Sequence, residues 1–241
     1  MDSLSIVVPA YNEARRLPAT LEKLCRFLQS SPMRDKEIVV VNDGSTDETA
    51  EIARAFSRRE PMVRLLENPG NCGKGYAVRA GFRQACCEWV LFSDADLSTP
   101  IEDLARLEAA IARSGADGAI GSRGLDRKLV GKRQPAVREI SGRMFNLFVR
   151  LVTGLPYRDT QCGFKLFRRD VAQALAARQR LDGFGFDVEI LYIARRLGYR
   201  IEEVAVQWDD AAGTKVSLWK GLAAFGDPVR VRCNDLQGRY R

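Results

Sequence analysis

The hydrophobic residues in the first half of the chain fall alternately into short continuous runs and into helical stripes. The continuous runs predict strands at Leu4–Pro9, Glu37–Asn42, Val63–Leu66, Trp89–Ser93 and Gly118–Gly121. Helical patterns fill the intervals, at Ala14–Leu28, Asp47–Arg58, Gly73–Ala85 and Pro100–Arg113. Strands that are apolar along their whole length are typical of sheets covered on both faces. The alternation therefore predicts an α/β fold with an open, mostly parallel sheet flanked by helices.

Polar segments follow three of these predicted strands. Pro9–Glu13 (PAYNE) ends the first strand, Asp43 follows the second, and Asp94 and Asp96 follow the Trp89–Ser93 strand. In open α/β sheets, ligands bind beyond the carboxyl ends of the strands. We therefore expect these side chains to converge on one edge of the sheet and to form one binding site.

Asp94 and Asp96 flank a single alanine at a strand end, so both carboxylates can approach one cation. The chain contains no histidine, which excludes histidine-ligated zinc and the Ser-His and Cys-His nucleophile schemes. Oxygen ligands favour Mg²⁺ or Mn²⁺, held by one or two carboxylates together with substrate phosphates. Aspartate is also common in turns and helix caps, which is the alternative interpretation of this triplet.

Two further segments suit a phosphate-bearing nucleotide. A carboxylate at Asp43 would accept a hydrogen bond from a nucleobase N–H, while the residues after it also form a capped helix start. The segment Asn71–Arg79 enters a helix with glycines on both sides of Lys74. Backbone amides at a helix start and one ammonium group make an anion site. The spacing differs from that of a P-loop.

Composition indicates one globular domain with an anionic partner. Apolar residues make up 46% of the 241 residues, and the formal net charge is +7. A nucleotide, a lipid phosphate or a membrane surface would suit this charge, and solubility alone would also explain it. The six cysteines lack metal-finger spacing, which indicates reduced thiols and a cytoplasmic location. Because Arg15 and Arg16 interrupt the early apolar run and no stretch reaches about 20 apolar residues, we expect only peripheral membrane contact.

The second half begins with a basic segment over residues 123–150. Residues 136–153 predict an amphipathic helix, whose apolar face comprises Val137, Ile140, Met144, Leu147, Phe148 and Leu151. Basic amphipathic helices lie flat on anionic membranes; the alternative is a helix packed on the core with a solvated face. We expect one domain, with a nucleotide-sugar half at 1–122, an acceptor half at 123–220 and a C-terminal tail at 221–241.

Several segments resemble family-two glycosyltransferases of the GT-A fold. They are SIVVPAYNEARRL, EIVVVNDGSTDET, NCGKGYAVRAG, WVLFSDADLSTP, DTQCGFKLFRRD and FDVEILYIARRLGYRIEEVAVQW, in that order. Within that family the chain looks most like dolichyl-phosphate glucosyltransferases, with polyprenyl-phosphate mannosyltransferases as neighbours. The resemblance implies transfer of a hexose, glucose or else mannose, from UDP-glucose or GDP-mannose to a polyprenyl phosphate, for protein glycosylation at the inner membrane face.

The resemblance also implies roles for individual residues. Pro9, Tyr11, Glu13 and Asp43 would line the nucleotide pocket, and Lys74 and Gly75 would lie beside the donor. Asp94 and Asp96 would hold the divalent ion. The cluster that holds the acceptor phosphate would comprise Arg123, Arg138, Ser141 and Lys215. Arg123 and Lys215 would act in catalysis with the two aspartates.

Three alternatives remain open from the sequence. A family-two enzyme acting on a sugar hydroxyl, in polysaccharide or glycolipid synthesis, would need a carboxylate base, for which Asp159, Asp187 or Glu189 are candidates. A nucleic-acid-binding regulator would interleave aromatic residues with the basic ones, whereas aliphatic residues do so here, so we expect no nucleic-acid partner. A nucleotidyltransferase would carry a glycine-rich loop after the first strand, where this chain has PAYNE.

Overall fold

The computed structural model describes residues 1–131, 136–209 and 225–241; the side chains of residues 127, 136–141 and 143 lie outside that description. Seven strands form one sheet in the order β3-β2-β1-β4-β6-β5-β7. They are β1 (Ser3–Ala10), β2 (Asp35–Asn42), β3 (Val63–Glu67), β4 (Trp89–Ser93), β5 (Gly118–Ser122), β6 (Phe164–Arg168) and β7 (Ile201–Ala205). The predicted mostly parallel α/β sheet is confirmed.

Helices cover both faces of this sheet. In the described part of the chain they are α1 (Leu17–Ser30), α2 (Thr49–Arg59), α3 (Lys74–Gln84), α4 (Leu104–Ser114), α5 (Ala136–Thr153), α6 (Arg169–Arg178), α7 (Phe186–Arg196) and α8 (Gly226–Leu236). The four helices and five strands expected from the hydrophobic pattern are present, with ends that differ by a few residues.

The sheet separates two apolar cores because successive side chains on a strand point to opposite faces. On β1, Val7 packs into the core with α3, whereas Ile6 and Val8 pack into the core with α1. All three are fully buried. Two-sided burial explains why the strands are continuous apolar runs rather than alternating ones.

One strand, β6, runs against the others. It pairs antiparallel with β4, where Ser93 lies opposite Phe164, and antiparallel with β5. The start of β6 therefore lies at the edge of the sheet where β4 ends. This arrangement brings the loop before β6 to the same edge as Asp94 and Asp96.

Helix α5 coincides with the predicted amphipathic helix, but its apolar residues are divided between two surfaces. Phe145 and Val149 are buried, whereas Met144, Leu147 and Leu151 are 64%, 56% and 76% exposed. Of the predicted apolar face, Met144, Leu147 and Leu151 are thus turned outward. No helix in the described ranges has both the length and the apolar character needed to cross a bilayer.

The C-terminal residues expected as a tail form α8, which packs against α5 and α7. Tyr240 is fully buried; its hydroxyl donates to Glu189 Oε1 at 2.6 Å and accepts from Asn234 Nδ2 at 3.2 Å. The C-terminal residues are therefore part of the core.

Candidate active site

The Asp94–Asp96 turn lies at the carboxyl end of β4. The Leu97 amide donates to the Asp94 carbonyl at 3.2 Å, and the Ser98 amide donates to Asp96 Oδ1 at 3.0 Å. Leu97 has a φ of 47°, in the left-handed region that bulky residues rarely adopt. Strain of this kind concentrates at functional sites. Both carboxylates remain partly open to solvent, at 31% and 24% side-chain exposure.

Two cationic side chains face these carboxylates. Lys74 Nζ lies 2.6 Å from Asp94 Oδ1, and Arg16 Nη1 lies 3.9 Å from Asp96 Oδ2. Burial works against the charge of Lys74, but Asp94, Asp187 and Asp96 together raise the pKa of its ammonium above the ordinary value. Lys74 is therefore a permanent cation beside Asp94. Two partly exposed carboxylates with a single residue between them fit a hard divalent cation, which takes oxygen ligands and keeps waters or phosphates.

Gly163 makes room for the Asp94 carboxylate. A Cβ atom at position 163 would lie 2.0 Å from Asp94 Oδ2, far inside contact distance. The Asp94 amide also donates to the Gly163 carbonyl at 3.0 Å, which joins the loop before β6 to the turn. A glycine at 163 is thus required for the observed position of this carboxylate.

We expect Gly163→Ala to weaken Mn²⁺ binding by about 10–100-fold, because misplacing a ligand has effects of that size. Mn²⁺ titration followed by electron paramagnetic resonance would measure it. The control is Gly142→Ala, because a Cβ at Gly142 meets nothing within 4 Å. Gly198 is unsuitable as a control because its φ of 80° would strain an alanine. Equal affinities in Gly163→Ala and the unchanged protein would contradict the prediction.

Asp43 holds the loop that precedes Lys74. It is buried, and its carboxylate accepts from Asn68 Nδ2 at 2.7 Å, from the Cys72 amide at 3.1 Å and from the Gly73 amide at 2.8 Å. Gly73, with φ at 105°, is the residue before α3. The carboxylate expected to meet a nucleobase is thus bonded to the loop that places Lys74 beside Asp94.

Gly75 in the first turn of α3 is a point of close approach. A Cβ at Gly75 would lie 2.5 Å from the Leu181 carbonyl oxygen and 2.7 Å from Phe186 Cβ. Since any side chain would push α3 away from the segment leading into α7, Gly75 sets the position of Lys74 through packing.

The segment after β1 is joined to the segment after β2. Asn12, with φ at 54°, donates its amide to Ser45 Oγ at 3.0 Å and accepts from the Thr46 amide at 2.8 Å. The Glu13 amide donates to Thr49 Oγ1 at 2.8 Å, and the Glu13 carboxylate pairs with Arg16 at 2.7 Å. Pro9 is the next-to-last residue of β1, and Tyr11, which directly follows the strand, is exposed at the same edge. The expected convergence of Pro9–Glu13, Asp43, Asp94 and Asp96 on one edge is therefore observed, and Lys74 at the start of α3 lies beside them.

Sequence reasoning missed a buried ion pair beneath this edge. Lys165 on β6 is fully buried, donates to the Cys162 carbonyl at 2.6 Å and pairs with Asp187 at the start of α7. Its ammonium and that of Lys74 lie 5.5 Å and 5.3 Å from the centre of the Phe92 ring. Burial raises the pKa of Asp187, while Lys165 and Lys74 act in the opposite direction. The signal in the sequence was a lysine inside the apolar run FKLF.

Arg123 lies just beyond β5 and is fixed by Asp159. Its Nε and Nη2 donate to the two Asp159 oxygens at 2.6 Å and 2.9 Å, and its amide donates to Oδ2 at 3.1 Å. The guanidinium carbon lies 5.4 Å from the centre of the Trp208 ring. Burial opposes ionisation of Asp159, but Arg123 outweighs it and lowers the pKa of that carboxyl to about 2. The guanidinium thus has a defined orientation, as bidentate pairs provide.

This pair predicts a pH-dependent contribution to stability. Because the pKa of Asp159 falls from about 4 unfolded to about 2 folded, the contribution is complete above about pH 4 and is lost as pH falls toward 2. We expect Asp159→Asn to lower the free energy of unfolding by about 2 kcal/mol at pH 7 and to flatten the dependence below pH 4. Urea unfolding at a series of pH values measures it.

The control for this prediction is Asp170→Asn. Asp170 pairs with Arg168 at 2.6 Å, but its side chain is 60% exposed, so the expected loss is below about 1 kcal/mol. If Asp159→Asn and Asp170→Asn lowered the free energy of unfolding equally at pH 7, burial would not be what makes the Arg123–Asp159 pair stabilising.

The remaining residues expected in the site fall into two groups. The side chains of Arg138 and Ser141, and all of Lys215, lie outside the described residues. The three candidate bases are buried and bonded within the protein: Asp159 to Arg123, Asp187 to Lys165, and Glu189 to the amides of Arg180 and Leu181 and to Tyr240.

Comparison with known proteins gives a consistent result. Residues 5–176 match the family model described as Glycosyl transferase family 2. The chain is 42% identical over 237 residues to a dolichyl-phosphate beta-glucosyltransferase of Trichomonas vaginalis, covering 95% of this chain and 72% of that protein. The proteins of the same name from Drosophila melanogaster and Homo sapiens are 38% and 34% identical, and each alignment covers 99% of this chain and 77% of the relative.

Solved structures share the fold at much lower identity. Glucosyl-3-phosphoglycerate synthase from Mycobacterium tuberculosis, in complex with Mn²⁺, UDP-glucose and phosphoglyceric acid, superposes with a TM-score of 0.69 at 19% identity, covering 95% of this chain and 79% of that one. Mannosyl-3-phosphoglycerate synthase from Rubrobacter xylanophilus superposes with a TM-score of 0.71 at 18% identity, covering 98% of this chain and 75% of that one. These likenesses identify the GT-A fold.

Proposed function

This chain belongs to glycosyl transferase family 2 and is a glycosyltransferase, and from that premise we propose that it transfers glucose from UDP-glucose to a polyprenyl phosphate such as dolichyl phosphate. The observation that carries the proposal is the 34–42% identity to dolichyl-phosphate beta-glucosyltransferases over nearly the whole chain. Residues 1–122 would bind the donor, and residues from 123 onward would bind the acceptor.

On the donor side, Asp94 and Asp96 would hold Mg²⁺ or Mn²⁺. A divalent ion there, when bound, neutralises the negative charge that builds on the departing nucleoside diphosphate. Lys74 is well placed to bind the same diphosphate because its ammonium already lies 2.6 Å from Asp94. Asp43 would act indirectly, by fixing the loop through the Cys72 and Gly73 amides, while Pro9, Tyr11 and Glu13 would line the nucleotide pocket.

On the acceptor side, Arg123 would bind the phosphate. Its guanidinium is oriented in advance by Asp159 and Trp208, so little conformational entropy is lost when an anion binds. Arg138, Ser141 and Lys215 would complete this cluster, as the resemblance to the family implies. Two anions brought together in one site require such fixed positive charge.

The buried carboxylates favour a phosphate acceptor over a sugar hydroxyl. A phosphate monoester is largely ionised at neutral pH, so it can attack the anomeric carbon without a general base. The candidate bases Asp159, Asp187 and Glu189 are each bonded to other groups of the protein. A single in-line displacement, which inverts the anomeric centre, is therefore the mechanism we propose.

The test is a donor and acceptor panel with the purified chain. UDP-glucose and GDP-mannose are each incubated with Mg²⁺ or Mn²⁺, with and without a polyprenyl phosphate, and release of nucleoside diphosphate is measured. We expect release that requires both the lipid and the metal and is faster with UDP-glucose. The product should partition into organic solvent and be labile to acid.

The outcomes separate this function from its nearest alternative. Turnover that is independent of the lipid, or unaffected by a chelator, would overturn the proposal. A water-soluble glycan product would point instead to a sugar-hydroxyl acceptor.

We also propose that the exposed stripe on α5, made of Met144, Leu147 and Leu151, contacts the surface of an anionic membrane. The stripe follows helical spacing, Arg150 beside it is exposed, and the chain carries a net charge of +7. Apolar side chains entering the interface with nearby basic residues are the usual basis of peripheral binding. Such contact would bring the enzyme to a lipid-borne phosphate.

We expect the double variant Leu147→Glu with Leu151→Glu to bind anionic vesicles at least about tenfold more weakly, since each leucine loses over 1 kcal/mol of apolar burial. Cosedimentation with phosphatidylglycerol vesicles measures it. The control is Leu236→Glu on α8, which is 79% exposed. Equal weakening by the control would mean that added negative charge, rather than the stripe, is responsible.

A further inference from the structure

A second cluster of metal-binding side chains lies at the opposite edge of the sheet from Asp94. Glu37 lies in β2, and Cys86 and Cys87 lie in the turn between α3 and β4. One ligand atom from each of the three, a carboxylate oxygen and two Sγ atoms, lies within 4.8 Å of the others. Donor atoms around a tetrahedral zinc are about 3.5–3.8 Å apart, so only small side-chain movements are needed.

The carboxylate is held ready by its neighbours. Glu37 is buried, and its Oε1 accepts from Ser5 Oγ at 2.6 Å and from the Cys86 amide at 2.8 Å. The Arg64 guanidinium pairs with the other oxygen, Oε2, at 2.7 Å. Since Arg64 is engaged with Oε2, Oε1 is the oxygen that faces the cysteines.

The two thiols occupy different positions around that oxygen. Cys86 is exposed, and its Sγ donates to Glu37 Oε1 at 3.1 Å. Cys87 is buried, with its amide bonded to Ser5 Oγ at 3.1 Å and its Sγ 3.7 Å from the Asp35 carbonyl oxygen. A cation bound here would displace the protons of both thiols to solvent, including the one that Cys86 donates to Glu37. All six cysteines are free, so neither thiol is used in a disulfide.

The cluster can be reached from solvent. A surface cavity of ≈ 360 Å³ is lined by Ser3, Cys86, Glu88, Arg168, Arg169 and Asp170. Cys86 therefore connects the buried part of the cluster with this cavity, which leaves space for a water as a fourth ligand.

We propose that Glu37, Cys86 and Cys87 form a binding site for a thiophilic divalent cation such as Zn²⁺, distinct from the site at Asp94 and Asp96. Two sulfur ligands and one oxygen select soft or borderline ions, whereas the two aspartates select hard ones. Because Glu37 belongs to β2 and the cysteines to the turn before β4, the ion would tie these segments together. The site goes beyond the proposed transferase function and does not depend on it.

The test uses the full chain, freed of metal with a chelator and then titrated with Cd²⁺. We expect a thiolate-to-cadmium charge-transfer band that saturates at one ion per chain, and displacement of that ion by Zn²⁺. Cys86→Ser and Cys87→Ser should each lower the band, because one of the two thiolate ligands is lost, and should weaken Zn²⁺ binding at least about 100-fold, since even outer-shell partners change affinity about 10–100-fold. Glu37→Gln should keep the band and bind Zn²⁺ more weakly.

The matched controls are Cys233→Ser, which removes another exposed thiol, and Asp94→Asn, which affects the other site. Both should keep the band. An undiminished band with unchanged Zn²⁺ affinity in Cys86→Ser, or the absence of a saturating band in the unchanged chain, would overturn the proposal. Cys86 is exposed, so Cys86→Ser alone decides the question if the Cys87 variant does not fold.

Discussion

Asp96→Asn is expected to lower kcat/KM for glycosyl transfer by about 10²–10³-fold while the chain remains folded. In the proposed mechanism, removing one carboxylate would weaken the hold on the divalent ion, whose electrostatic effect would be several kcal/mol, and about 3–4 kcal/mol corresponds to that factor. Asp96 is partly exposed, so its replacement leaves no buried charge unpaired. The measurements are nucleoside diphosphate release and Mn²⁺ affinity on the same preparation.

Two comparisons decide how this loss is interpreted. Asp170→Asn, a change of the same kind at the far edge of the sheet, should leave turnover unchanged. Raising the Mn²⁺ concentration should restore part of the activity of Asp96→Asn if metal affinity is the cause. Full activity of Asp96→Asn in the presence of a chelator would remove the basis for a metal site at this edge.

The largest loss of stability is expected from Lys165→Met. Lys165 is fully buried and pairs with Asp187, which is also buried. Breaking a buried pair by removing one partner costs about 3–5 kcal/mol, because the other charge is left without compensation. The positive charge of Lys74 also stabilises the Asp187 carboxylate and offsets part of this cost. We therefore expect the free energy of unfolding, measured with urea, to fall by about 3 kcal/mol.

A double variant tests whether the unpaired charge of Asp187 causes the loss of stability in Lys165→Met. Adding Asp187→Leu to Lys165→Met should recover most of the lost stability, since replacing both partners with apolar groups is often neutral. Lys23→Met breaks the exposed pair with Glu102 and should cost less than about 1 kcal/mol. If the double variant is less stable than either single variant, packing rather than charge would explain the loss.

The active-site edge shows how far motif reasoning reaches. Asp43 follows β2 and Asp94 and Asp96 follow β4, and the parallel pairing of both strands with β1 brings them together as expected. The motif did not indicate that Asp43 accepts three hydrogen bonds from the loop before Lys74. The succession of strands and helices along the chain follows from sequence patterns, whereas the direction of one carboxylate depends on the path of a neighbouring loop.

The second half of the chain shows where such reasoning ends. Strand β6 was not among the predicted strands because its run FKLF is short and includes a lysine. Insertion of β6 between β4 and β5 pairs segments more than 40 residues apart in sequence, and local hydrophobic periods carry no signal of such pairing. The pairings Lys165–Asp187 and Arg123–Asp159 depend on that insertion.

The sequence by itself determined the α/β class, the edge of the sheet where the polar segments meet, the placement of Asp94 and Asp96 together at a strand end and the extent of helix α5. These features are local, since each depends on a hydrophobic period or on a few consecutive residues. Only the tertiary structure decided which charges are paired, how α5 divides its apolar residues and that Gly163 accommodates Asp94. Those features depend on distances between residues far apart in the chain, which are set when the sheet is assembled.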